Sequence, residues 1–271
     1  MARWPAQDLP LAPFFDTSVG ERDGYIPCGV CSVLVGDVSW AVCPRRLLTF
    51  DAEQPSPQQQ KLIKRVLHLA GFKSGDKVRV WSEITLRANN LNYRLDYVLC
   101  TKDRPPTVVE IMTASTSGGN RKQRTDIQSA FCDAVLYAEG SIPERRASPG
   151  VNARQVWARM ASQIIVKSQI ANAWGGCTIW VVQDALMKYI GLNTGLNLDA
   201  LRSDYWRVNE VNVISANLEN PEDIKLYTGP IQSRDGEACW TELLNTPAMP
   251  NLNVIQDKLK DDRLIAELVV P

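Results

Sequence analysis

An α/β domain with a mixed sheet and helices on both faces is what three features of this chain predict. Residues 77 to 114 hold three apolar runs with strand-like alternation, separated by turn-forming breaks. Helical spacing then dominates from Asn152 to Trp174, and the apolar run "CTIWVVQ" follows it directly. The order helix, three strands, helix, strand, helix indicates a layered α/β arrangement.

Each element has a local reason. In "CGVCSVLVGDVSWAVC", Val33 to Val35 and Val38 to Val42 flank a Gly-Asp turn, which predicts a hairpin joining Cys31 to Cys43. Pro55 and Ser56 open a helix whose Leu62, Val66, Leu67 and Leu69 share one side, and Gly71 ends it. The stretch "KVRVWSEITL" alternates Val78, Val80 and Ser82 against Arg79, Trp81 and Glu83, the period of a strand. Tyr93 to Cys100 and Thr107 to Met112 follow, split by the breaker "TKDRPP", so the three form a meander. A Gly-rich basic loop, "TSGGNRKQRTD", leads to a helix at Ile127 to Ala138. The long helix from Asn152 places Val156, Met160, Ile164 and Ile165 for burial and stops at Gly175 and Gly176. Beyond it, "VNEVNVISA" reads as a strand and "NLNVIQDKLKDDRLIAELV" as a terminal helix, while the regions of Trp206 and Trp240 favour no single state.

Composition bounds the function classes. A chain of 271 residues that is 45% hydrophobic can bury a full core, and its 30 basic and 30 acidic side chains cancel, so any polyanion must be met by local clusters of Lys and Arg. The N-terminal sequence lacks a leader pattern and no run of about 18 apolar residues occurs, which predicts a cytoplasmic protein with no membrane partner. Seven cysteines, an odd number, fit a reducing compartment with thiols or bound metal better than a disulfide framework. Residues 1–50 read as an N-terminal arm with a cysteine knuckle, and residues 51–271 as the main domain with a C-terminal extension.

Two acids interrupt the meander, Asp96 between Leu95 and Tyr97 and Glu110 after Val108 and Val109. An ionised carboxylate on a core-facing strand position costs several kcal/mol unless it is paired or holds a cation. Adjacent antiparallel strands about 5 Å apart can bring both to one divalent ion, with Glu83 as a third oxygen donor. Mg²⁺ suits oxygen ligands with open positions for phosphate. The competing reading pairs these acids with Arg79, Arg87 or Arg94 at the surface.

An acid in one strand, a turn, then a strand ending Glu-Ile-Met before a Gly-rich basic loop resembles the metal site of the PD-(D/E)XK nuclease superfamily. The blocks "CGVC…CPRRLL", "RLDYVL…VVEIMTASTSGG" and "QVWARMASQIIVKSQIANAWGGCTIWVVQDAL", over roughly residues 25 to 190, together resemble the NotI-like type II restriction endonucleases. The resemblance implies a restriction-endonuclease-like core with Mg²⁺-dependent phosphodiester hydrolysis in double-stranded DNA. It also implies a homodimer reading a palindrome, with Asp96 and Glu110 as metal ligands and the carbonyl of Ile111 as a further donor. The third motif position, Lys in most of the superfamily and Gln in NotI-like enzymes, is here Met112, whose thioether can neither activate water nor stabilise charge. Gln163 and Lys167, at i and i+4 of the long helix, are the candidates for a displaced polar group, although that spacing also suits an ordinary polar helix face. If nothing replaces the lysine, the chain is a DNA-binding subunit that works beside an active partner.

Cys28 and Cys31 form a C-x-x-C, and Cys43 follows across the hairpin. Thiolates so spaced reach a tetrahedral metal, commonly Zn²⁺ in a structural role; the resemblance implies a four-cysteine site built around iron. Cys100, Cys132 and His68 are the candidates for the fourth ligand, and buried thiols without metal are the alternative. For DNA, Asn120, Arg121, Lys122 and Arg124 beyond the Glu110 strand, and Arg145, Arg146 and Arg154 ahead of the long helix, supply local cations. Each loop also reads as an ordinary solvated surface.

Overall fold

A computed structural model of the chain describes residues 13–14, 26–27 and 31–244, apart from 53, 89–90, 103, 119, 121, 148, 208–209 and 234. Cys28, Arg121 and the expected terminal helix lie outside the described residues. After a two-residue antiparallel pairing of Pro13–Phe14 with Ile26–Pro27 comes the expected hairpin, β1 (Ser32–Val35) and β2 (Val38–Ala41), turning at Gly36 with φ +58°. A short helical turn at Pro44–Leu47 drives Leu47 and Leu48 into the core. Helix α1 (Pro57–Leu69) starts as the sequence predicts: Ser56 Oγ accepts from the Gln59 N–H, the Gln59 side chain accepts from the Ser56 N–H, and Pro57 sits in the first turn. Gly71, at φ +72°, follows its end.

The meander is β3 (Arg79–Ala88), β4 (Leu91–Cys100) and β5 (Thr107–Met112), antiparallel throughout. Two helices follow, α2 (Ile127–Ala138) and α3 (Ala153–Ala173), the second capped by Asn152, whose Oδ1 accepts from the Gln155 N–H at 3.1 Å. At the end of α3 a Cβ on Gly176 would meet the Pro106 carbonyl oxygen at 2.0 Å, so only glycine lets the chain turn so close to the entry of β5. Strand β6 (Cys177–Gln183) is buried along its whole length and runs without a loop into α4 (Asp184–Asn193). Then come β7 (Arg202–Ser203), β8 (Val211–Ala216) and β9 (Ile224–Gly229), and a 3₁₀ turn at Trp240–Leu244.

Seven strands make one mixed sheet in the order β7-β9-β8-β6-β5-β4-β3. The central β5, β6 and β8 are parallel, and the flanking pairs are antiparallel. Such a core needs helical crossovers, which α2, α3 and α4 provide. Alternation along β6 shows the two layers: Ile179 and Val181 pack with Leu62 and Val66 of α1, while Trp180 and Val182 pack with Met160 and Ile164 of α3 and with α4. A fully buried side chain of this size contributes about 2 kcal/mol. The expected mixed sheet flanked by helices is therefore what forms. Helix α4 and strand β9 were not among the expected elements. Among the described residues no helix is long and apolar enough to cross a membrane.

Candidate active site

The register of the meander aligns three acids. Ser82 pairs with Tyr97 and Ile84 with Leu95, which leaves Glu83 opposite Asp96. The β4–β5 ladder ends at Tyr97 and Val109, and the next step along it holds Asp96 and Glu110. There a side chain takes over from the ladder: the Ile111 N–H donates to Asp96 Oδ2 at 2.8 Å. Glu83 has φ +55°, the left-handed region that a non-glycine residue seldom occupies, so the edge strand is strained beside the acids.

Glu110 is almost fully buried, 2% exposed, on the side of the sheet that faces α3. Lys167 of α3, itself 8% exposed, puts Nζ 2.5 Å from Glu110 Oε2 and lies 5.9 Å from the centre of the Trp180 ring. Among the described residues no donor reaches Glu110 Oε1, which is also closed to solvent. A buried carboxylate oxygen in that state costs free energy that a cation would recover. Asp96 and Glu110 open into a cleft of about 520 Å³ that Ile111, Met112, Arg159 and Gln163 also line. Arg159, Gln163 and Lys167 recur every four residues on one stripe of α3, from the cleft to the buried ion pair.

Electrostatics agree with the geometry. Burial, and then the charge of Asp96, push Glu110 up to about 8 despite Lys167. Burial also raises Asp96, against the Ile111 N–H and Lys167, and the charge of Glu83 adds to the rise. Two carboxylates that resist ionising side by side are poised for a hard cation, which would relieve the burial and the repulsion together.

The expected site residues divide. Asp96, Glu110, Ile111, Met112 and Gln163 share the cleft, and Lys167 stands behind Glu110. Met112 is half-buried against the α3-facing core. Glu83 instead ion-pairs with Arg94, one of the surface partners weighed for it. Among the described residues no three His, Cys, Asp or Glu side chains converge as a metal site, and Cys28 lies outside those residues. The hairpin does bring Cys31 and Cys43 together, the N–H groups of Val42 and Cys43 donating to the Cys31 carbonyl at 3.0 and 3.3 Å. Cys100 bonds instead to the carbonyls of Thr101 and Arg104, Cys132 is exposed on α2, and His68 sits in the last turn of α1.

The basic loops are organised by a residue that sequence reasoning missed. Asp133, buried on α2, accepts from the N–H groups of Arg146 and Ala147 at 2.7 Å each and ion-pairs with Arg124, tying both loops together. Burial pushes its carboxyl up, but these donors outweigh burial and hold it below the usual range. Asn120 folds the first loop by accepting from the N–H groups of Lys122 and Gln123. Arg145 stacks on Tyr137 at 5.1 Å, Arg146 stands 3.8 Å from Glu144, and Arg154 is exposed in the first turn of α3.

No family matches. Neither a protein-family model nor any curated protein is similar enough in sequence to place this chain. Arg159 was also missed, although the four-residue spacing that singled out Gln163 and Lys167 continues back to it.

Proposed function

We propose that this chain is a type II restriction endonuclease with a PD-(D/E)XK-type core, making Mg²⁺-dependent, site-specific cuts in double-stranded DNA as a homodimer. The observation that carries the reading is Glu110: a buried acid opposite Asp96 at the floor of a cleft, one oxygen held by Lys167 and the other without a partner. Asp96, Glu110 and the Ile111 carbonyl form an all-oxygen donor set suited to Mg²⁺. Bound there, Mg²⁺ supplies Lewis-acid stabilisation of the phosphate and a more acidic water.

The chain's own groups do the rest. Lys167 is a positioning residue: it does not line the cleft, and it fixes the Glu110 carboxylate and favours its ionised form. Gln163 does line the cleft, and its amide can orient the attacking water where Met112 cannot. Attack of water in line with the leaving oxygen needs no covalent enzyme intermediate. The loops around Lys122 and Arg145 supply cations for the DNA backbone, and a palindromic site is read by two copies related by a twofold axis. Cys31 and Cys43, with Cys28, are the thiolates for a structural Zn²⁺ or iron.

A second reading, a cleavage-deficient DNA-binding subunit beside an active partner chain, is favoured by one observation, the thioether of Met112 in the usual place of a lysine. Plasmid digestion separates the two. Discrete fragments with Mg²⁺ and none with a chelator are expected. DNA that is retarded on a gel but uncut would move the conclusion to the second reading, and DNA neither bound nor cut would sink both.

A further inference from the structure

We propose that Arg159, with Gln163 beside it, forms a phosphate subsite on the α3 wall of the cleft, binding the DNA backbone at or next to the phosphodiester that the carboxylates face. The inference rests on the nuclease reading and deepens it by assigning a role to the α3 side of the cleft. Three observations carry it. Arg159 lines the same cleft as Asp96 and Glu110 and is exposed, and no ion pair among the described residues includes it. The other cation on the stripe, Lys167, is consumed by Glu110, so among the described residues that line the cleft Arg159 is the cationic side chain offered to a substrate. Thr113, Ser115 and Thr116 continue the wall with hydroxyls, which suits a phosphate better than an apolar ligand.

The chemistry of the pair fits a phosphodiester. A guanidinium presents a planar fork that meets two phosphate oxygens at once, and a carboxamide one helical turn away adds a neutral donor. Helix α3 is firmly seated, with Val156, Met160 and Ile164 fully or almost fully buried in the core, so the backbone that carries Arg159 is fixed beside the cleft. A backbone caught between Arg159 and the Asp96–Glu110 pair would be fixed from both sides, which is what in-line attack requires.

The test uses the full-length protein and a duplex carrying the cleavage site recovered from the ends of digest fragments. Binding is measured in Ca²⁺, which occupies carboxylate sites without supporting cleavage, over a range of salt. Arg159→Ala should lower the salt-dependence slope by about 0.9, the loss of one phosphate contact, and reduce kcat/KM by roughly 10²-fold. Arg159→Lys should restore the slope but only part of the rate, because an ammonium lacks the fork. Lys64→Ala, on α1 across the sheet, is the equal-charge control and should leave both unchanged. Unchanged melting of Arg159→Ala excludes misfolding as the cause. If the wild type binds and cuts while Arg159→Ala matches it in slope and rate, the subsite is wrong and the nuclease reading stands. If the wild type neither binds nor cuts, both fall together.

Discussion

Two buried acids, Asp184 and Glu110, each meet lysine beside the central parallel strands, and they differ in what their second oxygen finds. Asp184, at the start of α4, accepts from Lys225 and Ser215 on one oxygen and ion-pairs with Lys188 through the other. Burial raises its pKa, but the two lysines prevail and hold it below the usual range. Glu110 has one lysine, one orphaned oxygen and Asp96 opposite, and its pKa goes the other way, up to about 8. Burial and a nearby ammonium are therefore common to both. A satisfied carboxylate is a structural part, and an unsatisfied one facing a second acid in a cleft is a site in waiting.

The largest effects should come from reversing these roles. Asp96→Asn and Glu110→Gln are expected to lower Mg²⁺-dependent cleavage by at least ~10³-fold while leaving Ca²⁺-supported DNA binding largely intact. Asp184→Asn should leave cleavage near normal and lower stability by about 2 kcal/mol, because two ammonium groups lose their counter-charge. Cleavage assays beside denaturant unfolding of all three variants decide it. Normal cutting by Glu110→Gln, or lost cutting by a folded Asp184→Asn, would invert the comparison.

Much of this contrast was legible in sequence. An acid inside each of two adjacent strand patterns marked Asp96 and Glu110, and the i, i+4 pair on a long helix marked Gln163 and Lys167. Asp184 was not legible as a structural acid, because Ser215 and Lys225 lie 31 and 41 residues away and depend on how α4 packs on β8 and β9, while Lys188, four residues on, needs a helix that the sequence did not announce. Helix α4 itself was hidden: it starts on the residue after β6 with no side-chain cap, so no stop or start signal divides "CTIWVVQDALMKYI". Strand β9 pairs antiparallel onto β8, yet its pattern is half-exposed at one end and buried at the other, which blurs a two-residue period. Asp133 was hidden for the same reason as Asp184, since its work is to hold backbone N–H groups of a loop 13 residues on.

A second, smaller effect separates the acids by pH. Folded Glu110 titrates near 8 against an ordinary 4.5, so between those values the folded chain keeps a proton that the unfolded chain has released. Stability from this group therefore falls as pH rises, by at most about 1.4 kcal/mol per unit, and the raised Asp96 adds in the same direction. Asp184, being lowered, acts oppositely: its contribution is complete above its ordinary 3.8 and is lost only as pH falls through its folded value. Unfolding free energies of the wild type minus Glu110→Gln should slope downward from pH 5 to 8, whereas the difference from Asp184→Asn should be flat there. A flat Glu110 difference would mean that Lys167 already keeps the acid ionised.

The smallest effect concerns where the cation beside Glu110 comes from. Met112 and Glu110 are two residues apart on β5 and so face the same side, and Met112 lines the cleft, so a lysine there would deliver its ammonium from the strand instead of from α3. Lys167→Met should lower kcat by roughly 10²-fold, since Glu110 loses the charge that orients it and favours its ionised form. Adding Met112→Lys should then recover about tenfold, a gain worth ~1.4 kcal/mol of barrier, provided melting shows that both variants fold. The pairing is specific: Met112→Lys in a chain that keeps Lys167 should gain nothing, because Lys167 already orients Glu110 and a second ammonium would compete with the metal for the remaining oxygen. Recovery in the double variant would show that the site needs one cation and is indifferent to the element that carries it. Asp184, with two lysines from different elements, should tolerate the loss of either at a lower cost, because the other remains.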